Sequence, residues 1–391
     1  MPRVDRRSTK ALALALLGAA TLSGAAGAAV AQAGDSAPHA AAAQSAFTNK
    51  VFASGASLSH GTPKGKQPLS APDDITYLGG HIFVGFQNGV GPQGEASPTG
   101  DKDSTVVEFD QAGHAVAQWD IVGKCDGLTA DPASGRIIAT VNEDAHSSIY
   151  LIDPVAGGAA VDYRYNEPLP SKGGTDAIEV YNGMVLVSAS APGTTGAAAP
   201  KPTYPAVYRV AFDNATHVAT VQPLFFDEAA ATVANTNSSE NGKTEHLALT
   251  DPDSNEDVPA YATRFAGDFM LTSQGDKEQI YVANASSAKP ALSVLKLSNS
   301  VDDTAWPSDS TGALYATDNG NNTINKVTGP FTTGSTLVAV TPCDANGSPS
   351  TCPGPGFPAN YLGELNPSTG VITRVDVSGP SAGVQGMLFV P

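Results

Sequence analysis

The chain has 391 residues, 41% hydrophobic and only 15% charged, with 40 Gly, 29 Pro and a formal net charge of −17. Such a chain can bury a sizeable core, but low charge with many Gly and Pro excludes a protein of long amphipathic helices and favours short strands joined by turns. The acidic balance repels nucleic acid and anionic membrane, so a DNA- or RNA-binding role is excluded, while cations are favoured.

Arg3, Arg6, Arg7 and Lys10 precede an apolar run from Ala11 to Leu22, and Ala31-Gln32-Ala33 offers a small-x-small cleavage site. Residues 1–33 therefore read as a signal peptide cleaved near Ala33, and the product is expected to be secreted. Arg6-Arg7 also raises the twin-arginine route, although Asp5 and Ser8-Thr9 make the surrounding motif poor. Cleavage removes four basic residues and one acid, leaving 17 Lys and Arg against 37 Asp and Glu, a net of −20. No later stretch is long and apolar enough for a membrane-spanning helix.

Residues 34–45 read as a disordered leader, Phe47 to Phe52 as a strand, and His60 to Ser70 as a linker. From Asp73 a pattern begins: Asp74 to Leu78, a Gly79-Gly80 turn, His81 to Phe86, then Ser104 to Asp110 and Ala115 to Trp119. Four short strands with turn signals between them make one propeller blade. A second unit opens at Cys125-Asp126-Gly127-Leu128, turns at Asp131-Pro132-Ala133-Ser134-Gly135, and continues to Tyr165. A third starts at Asp176, with 191–205 as an inserted Gly/Ala/Pro/Thr loop; a fourth starts at Glu245-His246; a fifth runs from Asp303 through Trp306 and Gly312 to Asn319. The C-terminal Gln385-Gly386-Met387-Leu388-Phe389-Val390 matches the start of a unit, which implies circular closure with N-terminal residues completing the last blade. The expectation is an all-β β-propeller spanning 46–391 as one domain, with six blades favoured and five or seven open because 323–342 and 360–377 hold more strands than one blade needs.

The short motifs Asp126-Gly127-Leu128, Asp131-Pro132-Ala133-Ser134-Gly135 and Leu314-Tyr315-Ala316-Thr317-Asp318-Asn319-Gly320-Asn321-Asn322-Thr323-Ile324 resemble those of secreted bacterial six-bladed propellers of the SMP-30/gluconolactonase, NHL and YncE-like group. The resemblance covers most of 73–391 and implies an axial metal held by acids and Asn residues, with Asp126 and either Asn142 or Asn319 where such ligands are expected. The Glu-Gly-Pro-x-Trp opening typical of gluconolactonases is replaced by Asp73-Asp74-Ile75-Thr76.

Innermost strands of a propeller begin near the central channel, so equivalent starts converge on one mouth. Aligned on their first strands, the units place Asp74, Asp126, Asp176, Glu245 and Asp303 there, with Gln385 at the sixth place. Five acids in a funnel repel one another unless a cation or hydrogen bonds satisfy them. Oxygen-only ligands suit Ca²⁺ or Mg²⁺; the competing reading is that each acid caps backbone amides. His246, beside Glu245, is the candidate general base, against a structural reading in which it turns sideways into a neighbouring blade.

Cys343 and Cys352 flank a Pro/Gly/Ser loop and are the natural disulfide pair of an exported protein, leaving Cys125 as a packed thiol. Gly89-Val90-Gly91-Pro92-Gln93-Gly94 fits a dinucleotide string, but Pro98 breaks any following helix; Asp251-Pro252-Asp253-Ser254-Asn255 resembles a calcium-loop front, but Glu256 stands where Gly is required. No Gly-x-Ser-x-Gly or His-Glu-x-x-His string is present. Three functions follow: a propeller binding a metal ion or small ligand in an acidic axial funnel, a calcium-dependent lactonase or esterase, and a cell-envelope interaction scaffold using loop 191–205. The expected partner is a small-molecule ligand or substrate, and the chain is expected to be a monomer.

Overall fold

The computed structural model describes residues 46–154, 158–170, 174–190, 204–342, 360–380 and 383–391. These residues fall in one compact unit, Gln44–Pro391. The proposed signal peptide and leader, the Cys343–Cys352 pair and most of the 191–205 insertion lie outside the described residues. Among the described residues, apart from one short 3-10 turn at Gly55–Ser57, the regular elements are strands. Among the described residues no helix is long and apolar enough to cross a membrane.

Up-and-down meanders account for most of the fold. The first is Pro72–Leu78, His81–Phe86, Asp103–Phe109 and Ala115–Val122; the second is Cys125–Asp131, Arg136–Val141, Ser148–Ile152 and Val161–Tyr165. The third is Ile178–Tyr181, Met184–Ser188, Pro205–Asp213 and Val218–Phe226, whose last strand meets the outer strand of the second in parallel. The fourth runs Pro252–Asp257, Phe269–Ser273, Glu278–Ala283 and Ala291–Lys296. A hairpin, Ala230–Val233 and Thr244–His246, extends its outer edge. The fifth pairs Val301–Ala305, Thr336–Val340, Tyr361–Leu365 and Ile372–Arg374. A closing sheet takes Met387–Val390 innermost, then Ala313–Asp318, Thr323–Thr328 and the N-terminal Phe47–Ser54. The closure expected from the C-terminal motif is therefore present: both chain ends contribute strands to one sheet.

Apolar clusters join each group to the next. Phe83, Val106 and Trp119 of the first meander pack on Leu128, Ile137 and Ile152 of the second. Equivalent clusters link second to third, third to fourth, fourth to fifth and fifth to the closing sheet. Ile75, Val84 and Phe109 pack on Tyr315 and Ile324, returning the ring to its start. Strands covered on both faces explain the unbroken apolar runs: all but the first residue of His81–Phe86 and all of Ala313–Asp318 are buried. Ala115–Val122, an outer strand, alternates between buried and exposed residues. The structure is a closed β-propeller.

Two sequence expectations are corrected here. The fifth unit is not continuous: after Ala305 the chain crosses into the closing sheet for 313–328 and returns to the fifth meander at Thr336. Local strand patterns specify faces, not partners, so the crossing left no mark in the periodicity. The 60–70 segment is a hairpin, Ser59–Thr62 with Gly65–Pro68, rather than a plain linker.

Candidate functional site: an acidic axial cavity

Four innermost strands carry a register irregularity at one common place: between Pro72 and Ile75, Cys125 and Leu128, Pro252 and Asn255, and Val301 and Thr304. The two residues inside each irregularity are Asp73-Asp74, Asp126-Gly127, Asp253-Ser254 and Asp302-Asp303. Asp176-Ala177 and Gln385-Gly386 stand just before the other two innermost strands, Ile178–Tyr181 and Met387–Val390. The first residue of each pair therefore forms the ring: Asp73, Asp126, Asp176, Asp253, Asp302 and Gln385 all line one cavity of about 720 Å³.

The second residue of each pair has a different task. Asp74 Oδ1 accepts from the amide of Ile75 at 2.7 Å, and its Oδ2 accepts from Leu128 of the next meander at 2.6 Å. Asp303 repeats this with the amides of Thr304 and Met387. Elsewhere a hydroxyl makes the bridge. Thr140 Oγ1 accepts from the Gly127 amide at 2.9 Å and donates to the Asp176 carbonyl; Thr317 does the same between Gly386 and Asp73. Ser188 Oγ donates to the Asp253 carbonyl at 3.0 Å. Gly127 is required by this approach, because a Cβ there would stand 2.6 Å from Thr140 Oγ1 and 2.7 Å from the Asp176 carbonyl oxygen. Gly127→Ala is expected to cost about 1–3 kcal/mol through forced backbone movement, read as a lower midpoint in urea; an unchanged midpoint would show that the two meanders separate freely.

One ammonium enters the ring. Lys124 directly precedes the strand Cys125–Asp131, and its Nζ lies 2.7 Å from Asp126 Oδ1 and also binds Glu143 Oε1. Gln87 donates to the same Asp126 oxygen at 3.1 Å, and Gln385 donates to Asp73 Oδ1. Among the described residues, five buried oxygens lining the cavity have no hydrogen-bond partner: Asp126 Oδ2, Asp253 Oδ2, Ser254 Oγ, Asn255 Oδ1 and Thr341 Oγ1. A second tier lies further along the innermost strands, with Glu179 accepting from Thr129 Oγ1 at 3.1 Å and Glu256 beside Asp303.

Desolvation governs the charge states. It pushes Asp73 up to about 8, against the attraction of Lys124. It raises Glu179 to about 7 and Asp303 to about 6, the latter against hydrogen bonds from Glu256 and the Met387 and Thr304 amides. Asp126, Asp176 and Asp253 are also held well above the ordinary carboxylate range by desolvation, with neighbouring carboxylates adding to it. For Lys124 desolvation acts downward, but Asp126, Glu143 and Asp73 more than reverse it and keep the ammonium charged.

The sequence-derived candidates divide into three groups. Asp126 and Asp176 are in the ring, and Asn319 lines the cavity beside it. Asp74 and Asp303 line the cavity but hold backbone amides, as in the capping alternative. Glu245, His246 and Asn142 are outside the lining. Glu245 pairs with Lys296 at 2.9 Å on the peripheral hairpin, where His246 is exposed with Nδ1 on the Glu228 carbonyl at 3.0 Å. Asn142, at φ 69, holds a loop by accepting from the Lys124 amide and donating to the His146 carbonyl. Second-strand ends open on the same mouth as first-strand starts, since Gln87, Glu143 and Gln274 join the lining. Cys125 is a buried free thiol packed against Gly85, in keeping with the packing reading.

A closed propeller with a ring of acids around its axis is the class that fold and cavity define. No protein-family model matches the chain, and no curated protein sequence matches it. Among solved structures, the periplasmic gluconolactonase PpgL of Pseudomonas aeruginosa is similar at 12% identity and a TM-score of 0.44, over 88% of this chain and 99% of that one. A putative 6-phosphogluconolactonase from Bacteroides uniformis is similar at 11% identity and a TM-score of 0.40, over 88% and 100%. A protein of unknown function from Bacteroides caccae is similar at 10% identity and a TM-score of 0.44, over 83% and 89%. Likeness at this level says nothing about what the chain binds or acts on.

Proposed function

We propose that the axial cavity is a receptor site for a cation and that loading it releases protons. One observation carries this reading: among the described residues, eleven Asp and Glu side chains line a single cavity with one Lys as the only basic side chain. Without a cation, desolvation favours the protonated forms of Asp73, Asp176 and Asp253; a cation lets them ionise. The ring residues bind and orient, the Asp74, Asp303 and threonine bridges hold the ring open, and Lys124 neutralises one side of it. Taken as blades, the six packed strand groups present one ring position each.

The calcium ion implied by the family resemblance fits this donor set poorly. Lys124 fills the face between Asp126 and Glu143, two of the expected ligands are engaged with amides, and among the described residues no three acidic, His or Cys side chains converge to hold an ion. These residues offer a metal-borne hydrolytic step no support, and His246 is exposed on the peripheral hairpin, outside the cavity lining.

The pH dependence of stability follows from the raised values. In the folded chain Asp73, Glu179 and Asp303 titrate near 8, 7 and 6, against 3.8 to 4.5 ordinarily. Between about pH 4 and about pH 8 the folded state thus holds more protons than the unfolded one, so stability is greatest at the acid end and falls as pH rises through that window. The Tm of the cation-free protein is expected to rise on acidification from about pH 8 to about pH 5, and a saturating cation is expected to flatten that slope. Calorimetric titrations with Ca²⁺, Mg²⁺ and organic ammonium salts, each in two buffers of different ionisation enthalpy, would report the protons released. Absence of binding by every cation class, with a Tm that only falls on acidification, sinks the reading.

A further inference from the structure

We infer that the cation is a linear organic amine with two or more primary ammonium groups, one of which seats on the side of the ring formed by Asp253, Ser254 and Thr341. This rests on the cation-receptor reading above and specifies its ligand.

Lys124 is an alkylammonium already bound in the ring, and it shows the mode of capture: Nζ donates to a ring carboxylate, Asp126, and to an acid at a second-strand end, Glu143. It serves only one side of the ring. The place it occupies, two residues before the ring position, is taken in the other strand groups by Ala71, Gly174, Asp251, Ser300 and Gly383, none of them basic. The order of packing around the ring puts the fourth and fifth meanders across the axis from the first and second.

On that far side, Asp253 Oδ2, Ser254 Oγ, Asn255 Oδ1 and Thr341 Oγ1 are buried and have no hydrogen-bond partner among the described residues. Thr341 is 2% exposed and lines the cavity, just past a strand end that pairs with Val301 beside Asp302. Leaving such polar atoms unpaired is costly, and the Asp253, Ser254 and Thr341 oxygens supply an acceptor for each of the three N–H donors of a primary ammonium. A divalent ion of the calcium type takes six to eight oxygens, whereas this set offers two neutral hydroxyls, one amide oxygen and one carboxylate oxygen.

The demand for a second ammonium comes from the lower tier. Glu256 lies three residues beyond Asp253 on the same innermost strand, roughly 10 Å along it at about 3.3 Å per residue. Asp303 and Glu179 line the same cavity, and Asp303 is hydrogen-bonded to Glu256. A point charge at the ring leaves this tier unneutralised, while an alkyl chain with ammonium groups at both ends reaches both. A cavity of about 720 Å³ has room for such a chain.

The test is calorimetric titration of the full chain at about pH 8 with CaCl₂, n-butylamine, 1,5-diaminopentane and spermidine as hydrochloride salts. The diamine or triamine is expected to bind at least ~10-fold more tightly than butylamine, and Asp253→Asn and Thr341→Val are each expected to weaken it by ~10-fold. Circular dichroism melts of both variants establish that they fold. Binding of Ca²⁺ with no response to any amine overturns this inference and leaves the cation-receptor reading standing; silence towards every salt overturns both. Equal affinity for the monoamine and the diamine, or amine binding indifferent to Asp253→Asn, also overturns it.

Discussion

Replacing Lys124 with Met is expected to cost about 3–5 kcal/mol at pH 8, because it removes one partner of a buried ion pair and strands the other. The Lys124 side chain is 16% exposed and that of Asp126 only 3%, so water compensates little. Gln87 remains as a donor to Asp126 Oδ1, but Oδ2 already lacks one, and Asp73 and Glu143 lose the positive charge that draws them together. The loss is expected to shrink at pH 5, where Asp126 and Asp73 take up protons at little cost, their values being raised already. Chemical denaturation of both proteins at the two pH values decides the matter. An equal loss at pH 5 and pH 8 would assign the role of Lys124 to packing of its aliphatic stem instead of charge. Added n-butylamine, which supplies the missing ammonium without the tether, is expected to restore part of the stability at pH 8.

The architecture was legible where chemistry repeats locally. Gln385-Gly386-Met387 announced closure because it copies an opening strand, and Asp126 and Asp176 marked the ring because a single acid stands at each start. The site was misread where the sequence allows two registers. Asp73-Asp74 and Asp302-Asp303 are acid doublets, and a one-residue slip exchanges the residue facing the axis with the one facing the next meander. Only the irregularity between Pro72 and Ile75, shared by three other strands, settles which is which. Glu245 took the place of Asp253 because Glu245-His246-Leu247-Ala248-Leu249 has the better strand pattern, whereas Pro252–Asp257 is polar throughout and resembles a solvated turn. The Pro-Asp dipeptide shared by Pro72-Asp73 and Pro252-Asp253 was the available signal. Lys124 carries a signal too, since a base two residues before a buried acid is placed to pair with it.

The doublets also provide the sharpest separation of scaffold from site. Asp303→Ala is expected to destabilise the protein by about 3 kcal/mol or more, because the amides of Thr304 and Met387 lose a charged acceptor in a buried setting. Asp74→Ala is expected to behave alike through Ile75 and Leu128. Each carboxylate ties its own strand to the innermost strand of the neighbouring group, and Asp303 ties it to the C-terminal strand that completes the ring, so the loss falls on closure itself. Asn at either position keeps one acceptor oxygen and is expected to lose less. Asp253→Asn, by contrast, removes an oxygen with no partner from a cavity crowded with like charge, so it is expected to leave the cation-free protein as stable or more stable at pH 8 while weakening cation binding. Urea denaturation with and without a bound cation measures both quantities on the same samples. If Asp303→Ala unfolds at the parental midpoint and only binding suffers, the amide bridges are incidental and Asp303 belongs among the ligands; if Asp253→Asn is the variant that unfolds, the ring carboxylates are structural and the axial site has no cation to hold.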